Sequence, residues 1–519
     1  MKPVRCTRVP DCRMEPFFHR RYLTLVDEIE QRFPVVRWRR DDLEVWPLAR
    51  MELYLDMYWA NADRPRPEPR PFPFRSLARI ARPLRNVWRS RHDLAHFVAR
   101  PKPAYAMFLG DGVSLDFVDG SWRDRFCEPL IDALEKRGST SFLMQSGDLS
   151  RLPWYRPTFA ANLVAGRGYQ PNASGTIPIE LPGREDVVEF LERNGVHSAS
   201  LDRDHLVRTA NVVAATATEF ERVIRIVRPT LAFVVTYYAN LGHAFLLACR
   251  RRGILSIDLQ HCAQEGAHKA YGWSAVPKTG YASLPAIFWN WSQTDAAAIR
   301  EWTSRLERPW HRSLHGGHTQ LAPFLGNSDS SAAAWDGKFE GVGAGAIFER
   351  EILIALQPIS GHRAQWEALA EQIKTAPASW RWWIRRHPAS SPLQDVEYAG
   401  LLSLRMANVV LEQASLLPLP ALLRHMSILV SLASGSAAEA AEFGVPAIFL
   451  LDAARGPFAG LMDKGLAEVV QVSAIAGVIA RTPKVPARPP PNRAPDFNAT
   501  LDELNRIAGG YRELCASRE

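Results

Sequence analysis

Short apolar runs alternate with amphipathic stretches over most of this chain of 519 residues. In the first half, the pattern predicts strands at 104–110, 141–145, 230–236 and 254–260 and helices at 126–137, 206–227 and 243–252. Continuous apolar strands that are separated by helices are typical of parallel sheets covered on both faces. This half therefore predicts a doubly wound α/β domain.

The alternation resumes after a stretch at 312–345 that is rich in Gly, Ser and Ala. It predicts strands at 351–357, 380–386 and 408–412, helices at 362–375 and 420–426, and a strand–turn–helix–strand unit over 428–450. The prolines between 483 and 491 mark a linker, and a final helix is predicted at 496–513. The fold class that follows is α/β, with two Rossmann-like doubly wound domains facing a cleft.

The same patterns predict the domain boundaries. In chain order they are an N-terminal extension with a Pro/Arg-rich linker and a basic amphipathic segment (1–103), an N-terminal Rossmann-like domain (104–311), an inter-domain connection (312–345), a C-terminal Rossmann-like domain (346–482), and a linker with a C-terminal helix (483–519).

Composition narrows the class of protein. Hydrophobic residues at 47% and charged residues at 23% are ordinary values for globular proteins. No apolar run reaches the roughly 18 residues of a membrane-spanning helix, and the N-terminus lacks the apolar core of a signal peptide, so we expect a cytoplasmic protein. The six cysteines include no Cys-x-x-Cys pair, which argues against a zinc site and a disulfide scaffold.

The net charge of +8 is concentrated in one segment. Residues 64–102 hold eleven Lys and Arg against Glu68 and Asp93, so the rest of the chain is close to neutral. A nucleic-acid-binding protein is therefore not expected. A basic amphipathic segment of this kind can lie on the anionic inner face of the cytoplasmic membrane, and the equally weighted alternative is a solvated arm.

The second half contains a candidate phosphate-binding turn. Ser434, Gly435 and Ser436 separate an apolar strand from an Ala-rich helix. Such turns lie at the carboxyl ends of parallel strands, where ligands bind, and we expect free N–H groups at the start of the helix. Glu439 either accepts the Ser436 amide in a capping box or meets the hydroxyls of a ribose.

A second candidate turn follows the strand at 380–386. Arg386 and His387 end this strand, and Pro388 stops it. A guanidinium and an imidazole at this position can neutralise the phosphate of a leaving group. A His-Pro turn at a strand end is also common, so the functional interpretation depends on the nearby serine turn.

The first half contains candidate acid–base groups at two strand ends. Asp111, which follows the first strand, can accept the proton of a hydroxyl, and His261 follows the fourth strand as the second choice. Asp-Gly turns and strand-end histidines are also common for structural reasons. Asp202 and Asp204 precede a helix, which favours helix capping over a metal site, and no metal is predicted.

At these residues the chain resembles two-domain GT-B glycosyltransferases, in particular bacterial capsule and lipopolysaccharide enzymes such as Kdo transferases and polysialyltransferases. The resemblance is carried by His387-Pro388, by Ser434 to Ser436, and by the Ser-x-x-Glu-Ala-Ala-x-x-Gly-Val-Pro pattern that ends at Pro446. It is clearest over 350–450. In polysialyltransferases an acidic residue precedes the Asp-Gly pair, whereas Gly110 stands here.

The resemblance implies a nucleotide-sugar donor, CMP- or UDP-linked, in the C-terminal domain and a glycan or glycolipid acceptor in the N-terminal domain. The expected reaction is an inverting, metal-independent sugar transfer without a cofactor. Three alternatives stay open: a polyol-phosphate transferase of the CDP-glycerol type, a nucleotide-sugar 2-epimerase, and a catalytically inactive GT-B scaffold.

Overall fold

The computed structural model describes residues 16–61, 102–118, 120–147, 153–168, 178–262, 268–325, 330–342, 347–357, 361–387, 395–456, 458–482 and 495–517. The chain divides into two compact units. The first takes in Phe17–Thr319 and Asp496–Glu519, and the second takes in Gln320–Pro495. Nearly all of the basic segment 64–102 lies outside the described residues, so its membrane contact stays a prediction.

The chain enters the first unit through two helices and a short hairpin. In order these are α1 (Pro16–Arg32), β1 (Arg39–Arg40), β2 (Leu43–Glu44) and α2 (Trp46–Asn61). Glu30 of α1 and Arg50 of α2 form an ion pair of 2.9 Å, and their side chains are only 1% and 3% exposed. Burial this deep leaves the pair largely unscreened by solvent.

The Glu30–Arg50 pair also anchors the two helices to the body of the first unit. The other Glu30 oxygen accepts the amide of Ser274 at 2.7 Å. Arg50 donates to the carbonyl of Gly272 at 2.6 Å and lies over the Trp273 ring. Residues 17–61 are therefore part of the first compact unit, whereas the sequence predicted an N-terminal extension over 1–103.

The strands that follow in the first unit are β3 (Ala106–Gly110), β4 (Leu115–Val118), β5 (Ser121–Asp124), β6 (Ser141–Gln145), β7 (Thr158–Ala160), β8 (Leu231–Val235), β9 (Leu255–Leu259), β10 (Ile287–Asn290) and β11 (Arg312–His315). Seven of the described strands form one sheet, in the order β11-β10-β9-β8-β3-β6-β7, and every pairing in it is parallel. Numbered along the chain, this order is 3-2-1-4-5-6-7, an extended Rossmann order.

The helices of the first unit cover this sheet. They are α3 (Glu128–Lys136), α4 (Ala161–Gly168), α5 (Arg184–Arg193), α6 (Arg203–Val227), α7 (Asn240–Arg251) and α8 (Gln293–Thr303). The Asp202 carboxylate caps α6 by accepting the amide of Asp204 at 3.2 Å. This confirms that Asp202 serves as a helix cap.

The second unit repeats the plan with a smaller sheet. Its helices and strands are α9 (Ala322–Leu325), α10 (Ser330–Glu340), β12 (Arg350–Ala355), α11 (Arg363–Thr375), β13 (Trp380–Arg385), α12 (Ala399–Leu402), β14 (Val409–Val410), α13 (Glu412–Leu416), α14 (Leu419–Leu423), β15 (Ile428–Ser431), α15 (Ser436–Glu442), β16 (Ala447–Phe449), α16 (Ala459–Asp463), β17 (Ala467–Val469) and α17 (Ile475–Arg481). Six of the described strands pair in parallel in the order β14-β13-β12-β15-β16-β17. That is the Rossmann order 3-2-1-4-5-6.

The last helix, α18 (Phe497–Ala516), returns to the first unit. Its Leu501 and Leu504 join the apolar core under β8 and β9. At the other end of the helix, the Tyr511 hydroxyl accepts a hydrogen bond from Arg250 of α7 at 3.2 Å. The predicted C-terminal helix is thus observed, and it is part of the first core. The proline-rich linker predicted at 483–491 lies outside the described residues.

The fold class expected from the sequence is confirmed, since both units are parallel α/β sheets of Rossmann type. The boundary expected at 312–345 differs from the structure. Residues 312–315 form the edge strand β11, which pairs with β10, and α9 and α10 belong to the second unit. The β11 sequence, Arg-Ser-Leu-His, lacks the apolar run of a buried strand because β11 lies at the edge of the sheet.

The buried pair in the first unit leads to a stability prediction. We expect Arg50→Met to lower the free energy of unfolding of the first unit by about 3 kcal/mol, because Glu30 would keep a buried charge without its ion-pair partner. Urea unfolding followed by tryptophan fluorescence measures this change.

The matched control is Arg193→Met, which removes an exposed ion pair with Glu189 on α5. It should cost less than about 0.5 kcal/mol, because solvent screens an exposed pair. Equal losses in the two variants would contradict the anchoring role of the buried pair.

Candidate functional site

Each sheet has one position at which the connections from adjacent strands leave in opposite directions. In the first unit it lies between β3 and β8, and in the second unit between β12 and β15. Ligands of doubly wound proteins bind outside the carboxyl ends of the strands at this switch point. The residues that follow these four strands are therefore the candidates for function.

At the end of β3, the Asp111 carboxylate is held in one orientation. It accepts the amides of Val113 and Ser114 at 2.8 Å each, and the Ser114 hydroxyl at 2.9 Å. Three donors converge on the carboxylate, which fixes its direction. The side chain remains partly exposed at the switch point.

Two buried side chains, Gln145 and Asp124, pack against the Asp111 turn and hold it in place. Gln145, at the end of β6, accepts the Gly112 amide at 3.0 Å and donates to Asp124 at 2.6 Å. Gly110 must be a glycine, because a Cβ there would lie 2.3 Å from the Asp124 carboxylate. Burial and the charge of Asp111 raise the pKa of Asp124 to about 6.

The end of β8 contains backbone strain. Thr236 has a φ of 60°, a conformation that β-branched residues rarely adopt. Two residues beyond the paired Leu109 and Val234, it lies beside Asp111 along the sheet edge. Strain of this kind costs on the order of 1–3 kcal/mol and concentrates at functional sites.

The same turn places Tyr238 against His261. The Tyr238 hydroxyl and the His261 Nε2 are 3.0 Å apart. His261 follows β9, next to β8 in the sheet, and Val235 and Leu259 are register partners. Sequence reasoning named His261 but missed Tyr238, although Tyr237 and Tyr238 directly follow an apolar strand in the sequence.

Behind this pair lies a buried carboxyl. Asp258 of β9 accepts the Tyr271 hydroxyl at 2.8 Å, while its Oδ1 has no hydrogen-bond partner. Burial raises the pKa of Asp258 to about 7. The Tyr271 ring packs edge-on against Tyr237, which ties the carboxyl to the β8 turn.

In the second unit, one glutamine joins the two strands of the switch point. Gln357 follows β12 and is fully buried. Its Oε1 accepts the Ala433 amide at 2.7 Å, and its Nε2 donates to the Ala433 carbonyl at 3.1 Å. This double hydrogen bond fixes the turn after β15. Sequence reasoning missed Gln357, although it ends a predicted strand.

The hydrogen bonds of the serine turn, Ser434 to Ser436, differ from those expected from the sequence. Ser434 Oγ accepts the Ser436 amide at 3.3 Å and lies 2.8 Å from the Ser436 hydroxyl. The amides of Ala437 and Ala438 donate to the carbonyls of Ser434 and Gly435. The expected free N–H groups at the helix start are thus used within the turn, and α15 has only seven residues.

Gly435 is the residue of this turn at which the described structure leaves space for a side chain. It precedes α15 as the N-terminal cap, with an ordinary helical φ of −58°. A Cβ added there would meet no heavy atom of the described residues within 4 Å. The Ser436 amide donates to the Ser434 hydroxyl, and both roles expected for Glu439, the capping box and the ribose contact, stay predictions. Glu439 lies half-buried on the first turn of α15.

The end of β13 reaches the same edge of the second sheet. Arg385, Ala355 and Ser431 are register partners across β13, β12 and β15. Arg386 and His387 therefore leave the sheet on one side of β12, and the serine turn leaves it on the other. Neighbouring strands are about 4.8 Å apart, so β13 and β15 are separated by roughly 10 Å at this edge.

Arg386 is anchored without being buried. Its guanidinium contacts Asp395 at 3.2 Å and is about half exposed, and its amide donates to the Ser415 hydroxyl. His387 is half-buried. Within each unit, the predicted site residues thus meet at one sheet edge: Asp111 with His261 in the first, and Arg386, His387, Ser434, Gly435, Ser436 and Glu439 in the second.

Two features are absent from the part of the chain that the structure describes. Among those residues, no three His, Cys, Asp or Glu side chains come together as a metal site would require. Nor does any helix within the same ranges have the length and apolarity to cross a membrane. The metal-independent reaction stays a prediction.

No protein-family model matches the chain, and no curated protein matches it. The chain is, however, similar in structure to several solved proteins. The UDP-GlcNAc 2-epimerase from Methanocaldococcus jannaschii is 12% identical, with 78% of this chain and 98% of that chain covered and a TM-score of 0.45. The epimerase from Neisseria meningitidis bound to UDP-GlcNAc is 14% identical, with 78% and 98% covered and a TM-score of 0.44. The glycosyltransferase SnogD from Streptomyces nogalater is 16% identical, with 79% and 96% covered and a TM-score of 0.38.

The buried carboxyl of the first unit leads to a pH prediction. A carboxyl whose pKa is higher in the folded than in the unfolded chain contributes stability below pH 4 that is lost as the pH rises through 7. Asp258→Asn should remove this contribution, which amounts to roughly 4 kcal/mol, because the amide cannot ionise.

Urea unfolding of both proteins at a series of pH values from 4 to 8 tests this. As the pH rises from 4 to 8, the free energy of unfolding of the variant should increase relative to that of the wild type. Asp124 and Glu128, whose pKa values burial also raises, are present in both proteins and cancel in the difference. A difference that does not vary with pH would show that Asp258 does not titrate in this range.

Proposed function

We propose that this protein is a glycosyltransferase that moves a sugar from a nucleotide-sugar donor to a surface polysaccharide or glycolipid. The transfer is inverting and independent of a metal. The second unit binds the donor, and the first unit binds the acceptor. Among donors, the resemblance to Kdo transferases and polysialyltransferases favours a CMP-linked sugar, with a UDP-linked sugar as the second choice.

The observation that carries the donor site is the open space over Gly435. This glycine has a φ of −58° that is open to any residue, and among the residues that the structure describes a Cβ at this position would meet no heavy atom within 4 Å. It lies at the switch point, in a turn that Gln357 fixes. A rigid, uncovered turn at this position is suited to hold a nucleotide phosphate.

Charged groups on the other side of β12 complete the proposed donor site. Arg386 presents a half-exposed guanidinium whose direction Asp395 fixes. Together with His387 it would neutralise the charge that develops on the leaving phosphate. Ser434 and Ser436 shape the turn, and the Ser434 hydroxyl, which accepts two hydrogen bonds, keeps its own hydrogen for a phosphate oxygen. Glu439 would meet the ribose.

The acceptor reacts at the switch point of the first unit. In a single displacement, the acceptor oxygen bonds to the anomeric carbon while the bond to the phosphate breaks, and the phosphate leaves with the electron pair. The acceptor proton passes to a protein base. Asp111 is the first candidate, because its carboxylate is partly exposed and its direction is fixed. His261 is the second, with Tyr238 at its Nε2.

Calorimetric titration with CMP, UDP, GDP and CDP tests the donor site. We expect one nucleotide to bind the wild type and Gly435→Leu to weaken that binding at least tenfold, because the added side chain fills the open space. The fold should tolerate the change, since neither φ nor packing opposes it. Preference for CDP would instead favour the polyol-phosphate alternative.

Gly477→Leu on α17 is the matched control, because a Cβ at Gly477 also meets no heavy atom of the described part of the chain within 4 Å. It should leave the affinity unchanged, and both variants should keep the wild-type melting temperature. If wild type binds none of the four nucleotides, or if Gly435→Leu binds as tightly as wild type, the donor site is elsewhere or absent.

A pair of variants identifies the base. Asp111→Asn keeps an oxygen for the amides of Val113 and Ser114 but loses the charge, so turnover should fall about 100-fold or more with an unchanged melting temperature. If His261 only orients the acceptor, the turnover of His261→Gln should fall by a smaller factor. Transfer of radiolabelled sugar to acceptor, measured for both, assigns the role.

The variant that loses more turnover identifies the residue that acts as the base. A hundredfold loss in His261→Gln with near-normal turnover in Asp111→Asn would reverse the assignment. Full activity in both variants would exclude these two residues as the base.

A further inference from the structure

A small sheet stands beside the Asp111 turn. Strands β4 and β5 form an antiparallel hairpin that begins directly after Ser114. A third segment joins it, because the Trp122 amide donates to the Pro153 carbonyl at 2.9 Å and the Tyr155 amide donates to the Trp122 carbonyl at 3.0 Å. The function proposed above uses none of these residues.

One face of this small sheet presents a row of three aromatic rings. Phe117 and Trp122 are register partners in the hairpin, and Trp122 pairs with Trp154 in the third segment. Register partners point to the same face of a sheet. We call Phe117, Trp122 and Trp154 the aromatic row. Phe117 is 51% exposed, and both tryptophans are partly exposed.

The aromatic row is continuous with the proposed acceptor site. Leu115 and Asp124 are partners on the same face, two residues further toward the β3 end. The Asp124 carboxylate lies directly under Gly110, beside the Asp111 turn. Two residues of a strand span about 7 Å. The row therefore begins a short distance from the carboxylate proposed to deprotonate the acceptor.

The exposed area limits what can occupy this face. An aromatic side chain offers about 150–250 Å² when fully buried by a partner. With at most about half of each ring accessible, the row supplies roughly 300 Å² in total. A stable protein interface needs about 800 Å² on each partner, so the row is too small for a protein partner or a second copy of the chain.

We propose that the aromatic row is an acceptor subsite that stacks sugar rings of the glycan next to the reacting hydroxyl. The flat C–H face of a pyranose ring packs on an aromatic ring, while its hydroxyls stay in water. Three rings side by side across a sheet form a track for consecutive sugar units. This subsite rests on the proposed function, since it extends the acceptor site of that reaction.

The opposite face of the small sheet provides a matched control. Tyr155 follows Trp154 and so points to the other face, where the Arg123 guanidinium stacks on its ring at 3.5 Å. It is 45% exposed, close to the value for Phe117. Removing either ring takes a similar apolar area from solvent, but only Phe117 belongs to the aromatic row.

The experiment uses the full-length labelled protein on an array of short bacterial-surface oligosaccharides. We expect wild type to bind a subset, and Phe117→Ala and Trp154→Ala to bind the same glycans about tenfold more weakly each. Tyr155→Ala should bind within twofold of wild type, and Phe117→Tyr should restore most of the affinity because it keeps a ring. Unchanged melting temperatures verify the fold of each variant.

Several results would overturn the subsite. These are no glycan binding by wild type, equal binding by Phe117→Ala, and equal losses in Phe117→Ala and Tyr155→Ala. Binding to glycan-free phosphatidylglycerol vesicles that Phe117→Ala abolishes would assign the row to a lipid surface. A dimer seen by light scattering in wild type and lost in Phe117→Ala would assign it to a second copy.

Nucleotide calorimetry separates this inference from the proposed function. If the row variants lose glycan binding and wild type binds no nucleotide, the subsite stands and the transfer reaction fails. If wild type binds nucleotide and the row variants keep full glycan binding, the subsite alone fails.

Discussion

Strand order is the constraint on which the candidate sites of this protein depend. In each unit the first and fourth strands of the sheet are neighbours, and the chain leaves them toward opposite faces of the sheet. The turns after β3 and β8, and those after β12 and β15, cannot pack over one another, so the sheet edge stays open between them. The residues of the proposed donor and base sites lie in or directly after these turns or at the end of a neighbouring strand, as His261 does after β9 and Arg386 and His387 do after β13.

Buried glutamines keep these edges rigid. Gln145 in the first unit bridges the Gly112 amide and the Asp124 carboxyl, and Gln357 in the second holds both polar groups of Ala433. Gln260, at the end of β9, accepts the Trp291 amide and donates to the Cys262 carbonyl. A glutamine amide supplies a donor and an acceptor at once, which lets one side chain join two strand ends without a charge. Rigid strand ends are what a ligand site needs in order to bind without first ordering its own residues.

The sequence predicted β3, β6, β8 and β9 of the first sheet and most strands of the second, because these strands are buried and consist of apolar runs. It missed the edge strand β11 and the polar hairpin β4–β5, neither of which has an apolar run. It also missed β7, β17 and the fully buried β10, although β10 does have an apolar run. The strand-end positions of Asp111, His261, Arg386 and Ser434 followed from the same runs. The roles of Tyr238 and Gln357 did not follow from these runs, because they come from contacts between segments distant in the chain. Tyr238 lies 3.0 Å from His261, and Gln357 forms two hydrogen bonds with Ala433. The hydrogen bonds of the serine turn differ from the expected ones for a local reason, since the Ser434 hydroxyl accepts the Ser436 amide.

The proposed function requires that a nucleotide bind at the switch point of the second unit. Hydrogen–deuterium exchange of the purified protein, with and without the nucleotide that binds most tightly, measures this binding peptide by peptide. We expect slower exchange with nucleotide in the peptides that contain Gln357, Arg386 and His387, and Ala433 to Ser436, and unchanged exchange at the opposite edge of the sheet around Ser379 and Ser427. Protection confined to that opposite edge, or to the first unit, would rule out the donor site proposed here.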